Sequence, residues 1–251
     1  MEKEVVILMS GGMDSYVAYH YAVKEKSYDP EEILALHFEI GQPYAHKERE
    51  AMETFDFPIK TINIDLIREE FDNVPSHEHG SQVIPGRNMI FATIAGSFGK
   101  RIWLTALKGE RHQFMKDKSK KFYRDMTDLM TYVFSDSREE TILETPFSHM
   151  TKSDVINWAL DNGLTVDDLR DTSTCYHEEY DKCGICSTCV KRWIAFYNND
   201  ITEDYENPPY LSDYAKEYRQ KLIEAKEKED YSHYCKERIE TDLPVLNEVL
   251  E

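Results

Sequence analysis

The sequence predicts an α/β protein built on an open parallel sheet, and three observations carry that expectation. Residues 5–9 form a short apolar run, β-branched at its start, that stops at the pair Gly11-Gly12 and restarts as a helix over residues 16–24. Such a run reads as strand, tight turn, helix. Two further runs follow, residues 32–39 and the alternating residues 59–66, with a helical stretch at 44–55 between them. Strands that alternate with helices at this spacing imply parallel crossovers rather than hairpins.

The turn after the first strand carries the first functional signal. Ser10-Gly11-Gly12-Met13-Asp14-Ser15 follows directly on Met9. Glycine lacks a Cβ, so the backbone here can take positive φ and approach a ligand closely. The helix that starts next aims free N–H groups and a positive dipole end at the same spot, which makes it a phosphate site. Ser10 and Ser15 add hydroxyl donors. Asp14 is unusual beside an anion; it fits if it holds Mg²⁺ or bonds loop N–H groups. The GxxxxGK[ST] spacing of a Walker A loop is absent. Ligands on open parallel sheets sit at the carboxyl ends of strands, near the switch in strand order, and this loop lies at such an end.

Downstream, residues 44–55 carry charged positions expected to face outward, among them His46, Lys47, Glu48, Arg49 and Glu50. Residues 72–82 are polar and predicted to loop over the site. An apolar helix is expected over 89–98 and strands over 101–107 and 141–146. Between those strands, residues 108–121 form the most basic block of the chain, either a solvated loop or a lid that holds phosphates, and a helix follows over 122–134. Thr151 is a natural N-cap for a helix over 153–162, with Gly163 just past its end. A short helical turn at 166–170 precedes the cysteine-rich segment, and a helix at 190–198 follows it. Residues 216–238 read as a solvent-exposed or partly packed helical tail. This organisation divides the chain into residues 1–165, which bind the nucleotide, and residues 166–251, which carry the cysteines.

Length and charge bound the alternatives. The chain has 251 residues and a net charge of −18. That length supports a substantial core without disulfides. No run of 18 apolar residues predicts a membrane span, and the N-terminus enters a strand with no secretory signal, so a cytoplasmic protein is expected. The acidic balance disfavours a large nucleic-acid footprint, because phosphate backbones select basic faces.

Four of the five cysteines fall at Cys175, Cys183, Cys186 and Cys189. In a chain without an export signal this clustering indicates metal rather than disulfides. Four thiolates on one compact loop suit a closed tetrahedral Zn²⁺ site, structural rather than catalytic. A CxxCxxC run also suits an iron–sulfur cluster. Cys235 stands apart as an ordinary thiol.

With these motifs in hand, the chain resembles the ATP-pyrophosphatase enzymes through SGGMDS. More specifically it resembles the 7-cyano-7-deazaguanine synthase family of the queuosine pathway. The resemblance rests on LMSGGMDS, on Pro85-Gly86-Arg87-Asn88 running into an apolar helix, and on Ser173 to Cys189, STCYHEEYDKCGICSTC. Gly41-Gln42 and the stretch from Glu144 to Lys152 also follow the family pattern. The resemblance implies a Rossmann-like, adenine nucleotide alpha hydrolase-like domain with a small zinc-bearing, mostly helical C-terminal part, often assembled as a homodimer. It implies conversion of 7-carboxy-7-deazaguanine, ammonia and ATP to the nitrile through an adenylated intermediate. Met9, Ser10, Gly11, Gly12, Asp14 and Ser15 would bind ATP with Mg²⁺. Arg87 would sit by the nucleotide or the substrate carboxylate, and Lys152 would neutralise phosphate charge, so that Asp14, Ser15, Arg87 and Lys152 form the catalytic set. Cys175, Cys183, Cys186 and Cys189 would ligate zinc. One stretch departs from the family: residues 107–123, LKGERHQFMKDKSKKFY, replace a short acidic, cysteine-containing segment. The departure leaves open an enzyme that stops at the amide or acts on a related acid. A tRNA-thiolating enzyme of the same superfamily would need a basic RNA face, and a zinc-held nucleotide sensor would show no turnover.

Overall fold

A computed structural model describes residues 2–65, 76–77, 81–82, 84, 86–110 and 116–250. The expected polar loop at 72–82, Pro85 and the middle of the basic block fall wholly or partly outside these residues.

The first strand, β1 (Lys3–Met9), is buried from Val5 to Met9, because both faces of the sheet are covered. Val5, Ile7 and Met9 face one apolar cluster and Val6 and Leu8 the other, which is why the run is continuously apolar rather than alternating. β2 (Ile33–Glu39) and β3 (Ile59–Asn63) extend the sheet on one side; β6 (Gly99–Trp103) and β7 (Ile142–Glu144) extend it on the other. All four pairings are parallel, in the order β3-β2-β1-β6-β7. The order reverses beside β1, so the loop that leaves β1 opens at the switch point. A separate antiparallel pair, β4 (Ser76–His77) and β5 (Ser81–Gln82), lies within the stretch expected to be a loop.

Helices α1 (Met13–Lys24) and α5 (Lys152–Asp161) pack on one face through Val17, Ala18, Val155 and Ile156. Helices α3 (Arg87–Ala95) and α4 (Lys120–Val133) pack on the other through Ala92, Met126 and Met130. Helix α2 (Ala45–Glu53) follows β2. Thr151 caps α5 as expected, and Asp154 completes the capping box. Two boundaries shift with consequence. Helix α1 begins at Met13 rather than Tyr16, so Asp14 and Ser15 belong to its first turn. The chain also leaves β6 after Trp103, several residues before the expected end at 107.

The C-terminal part holds α6 (Val166–Arg170), α7 (Ser187–Tyr197), α8 (Asp213–Glu227) and α9 (Lys236–Leu250). The expected single helical tail over 216–238 is in fact a pair of helices. Tyr214, Tyr218 and Leu222 of α8 and Ile239, Leu243 and Leu246 of α9 close a core with Val190 and Ile194 of α7. Leu169, Ala195, Phe196 and Ile201 share the core of α1 and α5. Among the described residues no helix is long and apolar enough to cross a membrane.

Leu246 is fully buried between the tail helices, whereas Val133 on α4 is 58% exposed. Leu246→Ala should lower unfolding free energy by about 2–5 kcal/mol and Val133→Ala by no more than about 0.5 kcal/mol, as read by urea denaturation.

Candidate nucleotide site and metal centre

The loop after β1 is closed by its own hydroxyls. Ser15 Oγ donates to the Gly12 carbonyl at 2.8 Å and accepts from the Ser10 N–H at 3.2 Å. Gly11 has φ +66°, and a Cβ placed there would lie 2.8 Å from the Glu48 carbonyl oxygen. Gly12 is extended, with φ −84°, and caps α1, so the left-handed conformation is needed at Gly11 and not at Gly12. On its other side, the Gly11 carbonyl accepts from the Ser173 N–H at 2.8 Å. The loop is therefore held between the first turn of α2 and the segment that leads into the cysteines. The first turn of α1 opens at its mouth, where a helix N-terminus favours negative charge. Met9 lies beneath, its side chain in the core, so only its main chain reaches the loop.

The loop N–H groups are not the partners of Asp14 among the described residues; its carboxylate turns to α5 instead. Both carboxylate oxygens lie 2.7 Å from Lys152 Nζ, at the first residue of α5. The pair offsets a negative charge beside an anion site and brings two of the expected site residues together.

Arg87 opens α3 behind Gly86, which takes φ +77°. Its charge acts on a cluster that sequence reasoning missed. Glu48 and Lys47 were expected on the outer face of α2, yet both turn inward. Lys47 is buried and donates to the carbonyls of His177 and Tyr180. Burial pushes the Glu48 carboxyl up to about 7, against the opposing pull of the Gln42 hydrogen bond and of Arg87. The Tyr44 and Tyr176 rings pack 5.0 Å apart beside it. From the basic block, Lys118 pairs with Glu110 at 3.0 Å. Burial would raise Glu110, but Lys118, Arg238 and Lys152 overcome it and hold the carboxyl low. Glu110, Lys152, Lys191, Arg238 and Asp242 line a cavity of about 40 Å³ between α5, α7 and α9.

The four clustered cysteines converge. Their sulfurs lie within 4.8 Å of one another, and all four residues are buried. Tetrahedral zinc–thiolate geometry places sulfurs about 3.8 Å apart; Cys183 and Cys189 are 3.9 Å apart. The donor set thus fits one closed metal site, structural in kind. Gly184, at φ +78°, makes the turn where a Cβ would meet the Asn207 carbonyl oxygen. Cys235 lies apart, and burial pushes its thiol up, in keeping with an ordinary thiol. Next to the cluster, Arg192 makes a two-point pair with Glu203, both contacts at 2.8 Å. It also donates to Thr172 Oγ1 and to the Leu169 carbonyl, each at 2.7 Å. This clamp fixes the strand of chain that meets Gly11.

Residues 4–200 match the family model described as queuosine biosynthesis protein QueC. The chain belongs to the QueC family. It is 29% identical over 227 residues to a 7-cyano-7-deazaguanine synthase of Pseudoalteromonas atlantica, covering 82% of this chain and 99% of the relative. It is 29% identical over 230 residues to one from Campylobacter hominis, covering 83% and 100%. It is 29% identical over 224 residues to 7-cyano-7-deazaguanine synthase 2 of Colwellia psychrerythraea, covering 80% and 97%. Helices α8 and α9 lie beyond the residues matched by the QueC model.

Arg192→Met leaves Glu203 buried without its main partner and should cost about 3–5 kcal/mol of stability, measured by chemical denaturation. Glu203 itself is held below its ordinary value of 4.5: burial would raise it, but Arg192, Tyr205 and Lys182 prevail. Its stabilisation is therefore complete above pH 4.5 and is lost as pH falls through the lowered value. Glu203→Gln should flatten that acid limb of the stability–pH curve.

Proposed function

We propose that this chain converts 7-carboxy-7-deazaguanine and ammonia to 7-cyano-7-deazaguanine at the expense of ATP. The observation that carries the reading is the intact phosphate loop at the switch point, tied through Gly11 to the segment that bears the QueC-type cysteines. The nucleotide-binding part, residues 1–165, and the cysteine-bearing part, residues 166–251, would share the site.

A carboxylate is a poor electrophile because its oxygen is a poor leaving group. Transfer of AMP to that oxygen converts it to a good one, and ammonia then attacks to give the amide. A second transfer, to the amide oxygen, allows loss of that oxygen and formation of the nitrile. The N–H groups of Gly11, Gly12 and the α1 start, with the Ser10 and Ser15 hydroxyls, would receive the phosphates. Mg²⁺ supplied with ATP would offset phosphate charge near Asp14. Lys152 would exchange part of its contact with Asp14 for a phosphate oxygen. Arg87, with its rigid planar fork, would receive the substrate carboxylate or the nucleotide. Zinc on the four cysteines would brace the Ser173 wall and take no part in the chemistry. A homodimer is the proposed assembly.

Purified protein given ATP, Mg²⁺, ammonium and 7-carboxy-7-deazaguanine should release AMP only when the acid is present. Product mass separates nitrile from amide, and an amide would assign the earlier stopping point. Asp14→Ala should reduce AMP release by roughly a hundredfold or more; an unchanged rate would refute the assignment. Elemental analysis should find one zinc per chain, and a strong chelator should lower the melting temperature. Iron in its place would reassign the metal.

A further inference from the structure

We propose that Glu48 is the proton acceptor for nitrogen in both rounds of the reaction, a role that rests on the function proposed above. Three features of its placement support this. First, it cannot drift from the phosphate loop. Its Cα would lie 2.9 Å from a Cβ on Gly11, so the close approach that demands glycine also anchors the Glu48 backbone beside the nucleotide. Second, its carboxylate is oriented. Gln42, whose own Oε1 accepts from the Ile40 N–H at 2.9 Å, donates through Nε2 to Glu48 Oε2. Among the described residues Oε1 takes no hydrogen bond, so one oxygen is held and the other is available. Third, the groups around it are suited to a base rather than to a permanent ion pair. Glu39 and Tyr44 act on it from β2 and the start of α2, Arg87 from α3 and Tyr176 from the cysteine segment. Arg87 is the one cation of this set, and no salt bridge joins it to Glu48 among the described residues. A carboxyl poised near neutrality accepts a proton and gives it up again, as a general base must.

The chemistry needs such a group twice. In the first round the ammonia lone pair forms the C–N bond to the adenylated carboxyl carbon. An N–H proton passes to Glu48 Oε1, and the C–O bond breaks with its electron pair leaving on AMP. In the second round the amide oxygen bonds the α-phosphorus of ATP as pyrophosphate leaves, and one of the two N–H protons passes to solvent to give the adenylated imidate. Its remaining N–H proton then passes to the same Glu48 oxygen. The C–O bond breaks, the C≡N bond completes, and AMP again carries away the electron pair. Between rounds the carboxyl returns its proton to solvent. No oxidant or further co-reactant enters either step.

The test separates adenylation from amination. Acid-dependent exchange of labelled pyrophosphate into ATP reads the first; amide formation at fixed free ammonia, followed from pH 5.5 to 9, reads the second. Wild-type protein should show amide formation falling as pH drops through about 7. Glu48→Gln should lower amination by roughly 10²–10⁴-fold, far more than it lowers exchange, and should abolish that acid limb. Glu48→Asp, which keeps a shorter carboxylate, should retain a limb at a shifted pH, and it supplies the same test if the glutamine variant does not fold. An acid limb unchanged in either variant, or equal losses in exchange and amination, would overturn the proposal. Wild-type protein with no acid-dependent exchange would instead overturn the function on which it rests.

Discussion

At position 11 the backbone is squeezed from two sides. Helix α2 occupies the volume where a Cβ would stand, and Ser173 bonds the carbonyl from the opposite side. Only glycine at positive φ satisfies both constraints. The close approach sets the distance between α2 and the N-terminus of α1, and the Ser173 bond fixes where the cysteine segment crosses the mouth of the sheet.

The cysteine cluster and the Arg192–Glu203 clamp then serve one purpose. Neither lies at the nucleotide end of β1, and both brace the short stretch around Thr172 to Cys175. Arg192 and Glu203 are almost wholly buried, at 3% and 2% side-chain exposure. A pair so placed contributes little net stability relative to apolar packing, but it tolerates only one geometry. Tyr205 adds a 2.6 Å hydrogen bond to Glu203 and packs on the cysteines, joining clamp and cluster. The second wall of the site is thus held by a buried ion pair set against four convergent cysteines.

Much of this was legible in the sequence. The strand–glycine–helix transition at 5–24 announces itself because both faces of β1 are buried and its turn needs residues without a Cβ. The cysteine spacing announces itself because tetrahedral coordination needs close thiols. Thr151 followed by Asp154 signals a helix start through purely local hydrogen bonds. What failed were features decided by distant chain. Lys47 and Glu48 look like solvated charges on α2; the carbonyls of His177 and Tyr180 draw Lys47 inward, and Gln42 holds the Glu48 carboxylate. Lys118 and Glu110 sit in a basic block whose composition suggests an exposed loop, yet they neutralise each other beside Lys152. Glu203 carries no motif, since its meaning depends on Arg192. The tail reads as a solvent-exposed or partly packed helical stretch because its charges dilute an apolar stripe of tyrosines and leucines that closes only when α8 meets α9.

The central strand has a temporal consequence. β1 precedes its partners along the chain, yet it needs neighbours on both edges, and Lys3 pairs with Gly99. The Gly11 carbonyl finds its partner only when Ser173 emerges. Closing loops of that length is entropically slow, so the loop after β1 stays half assembled until the cysteine segment docks on it.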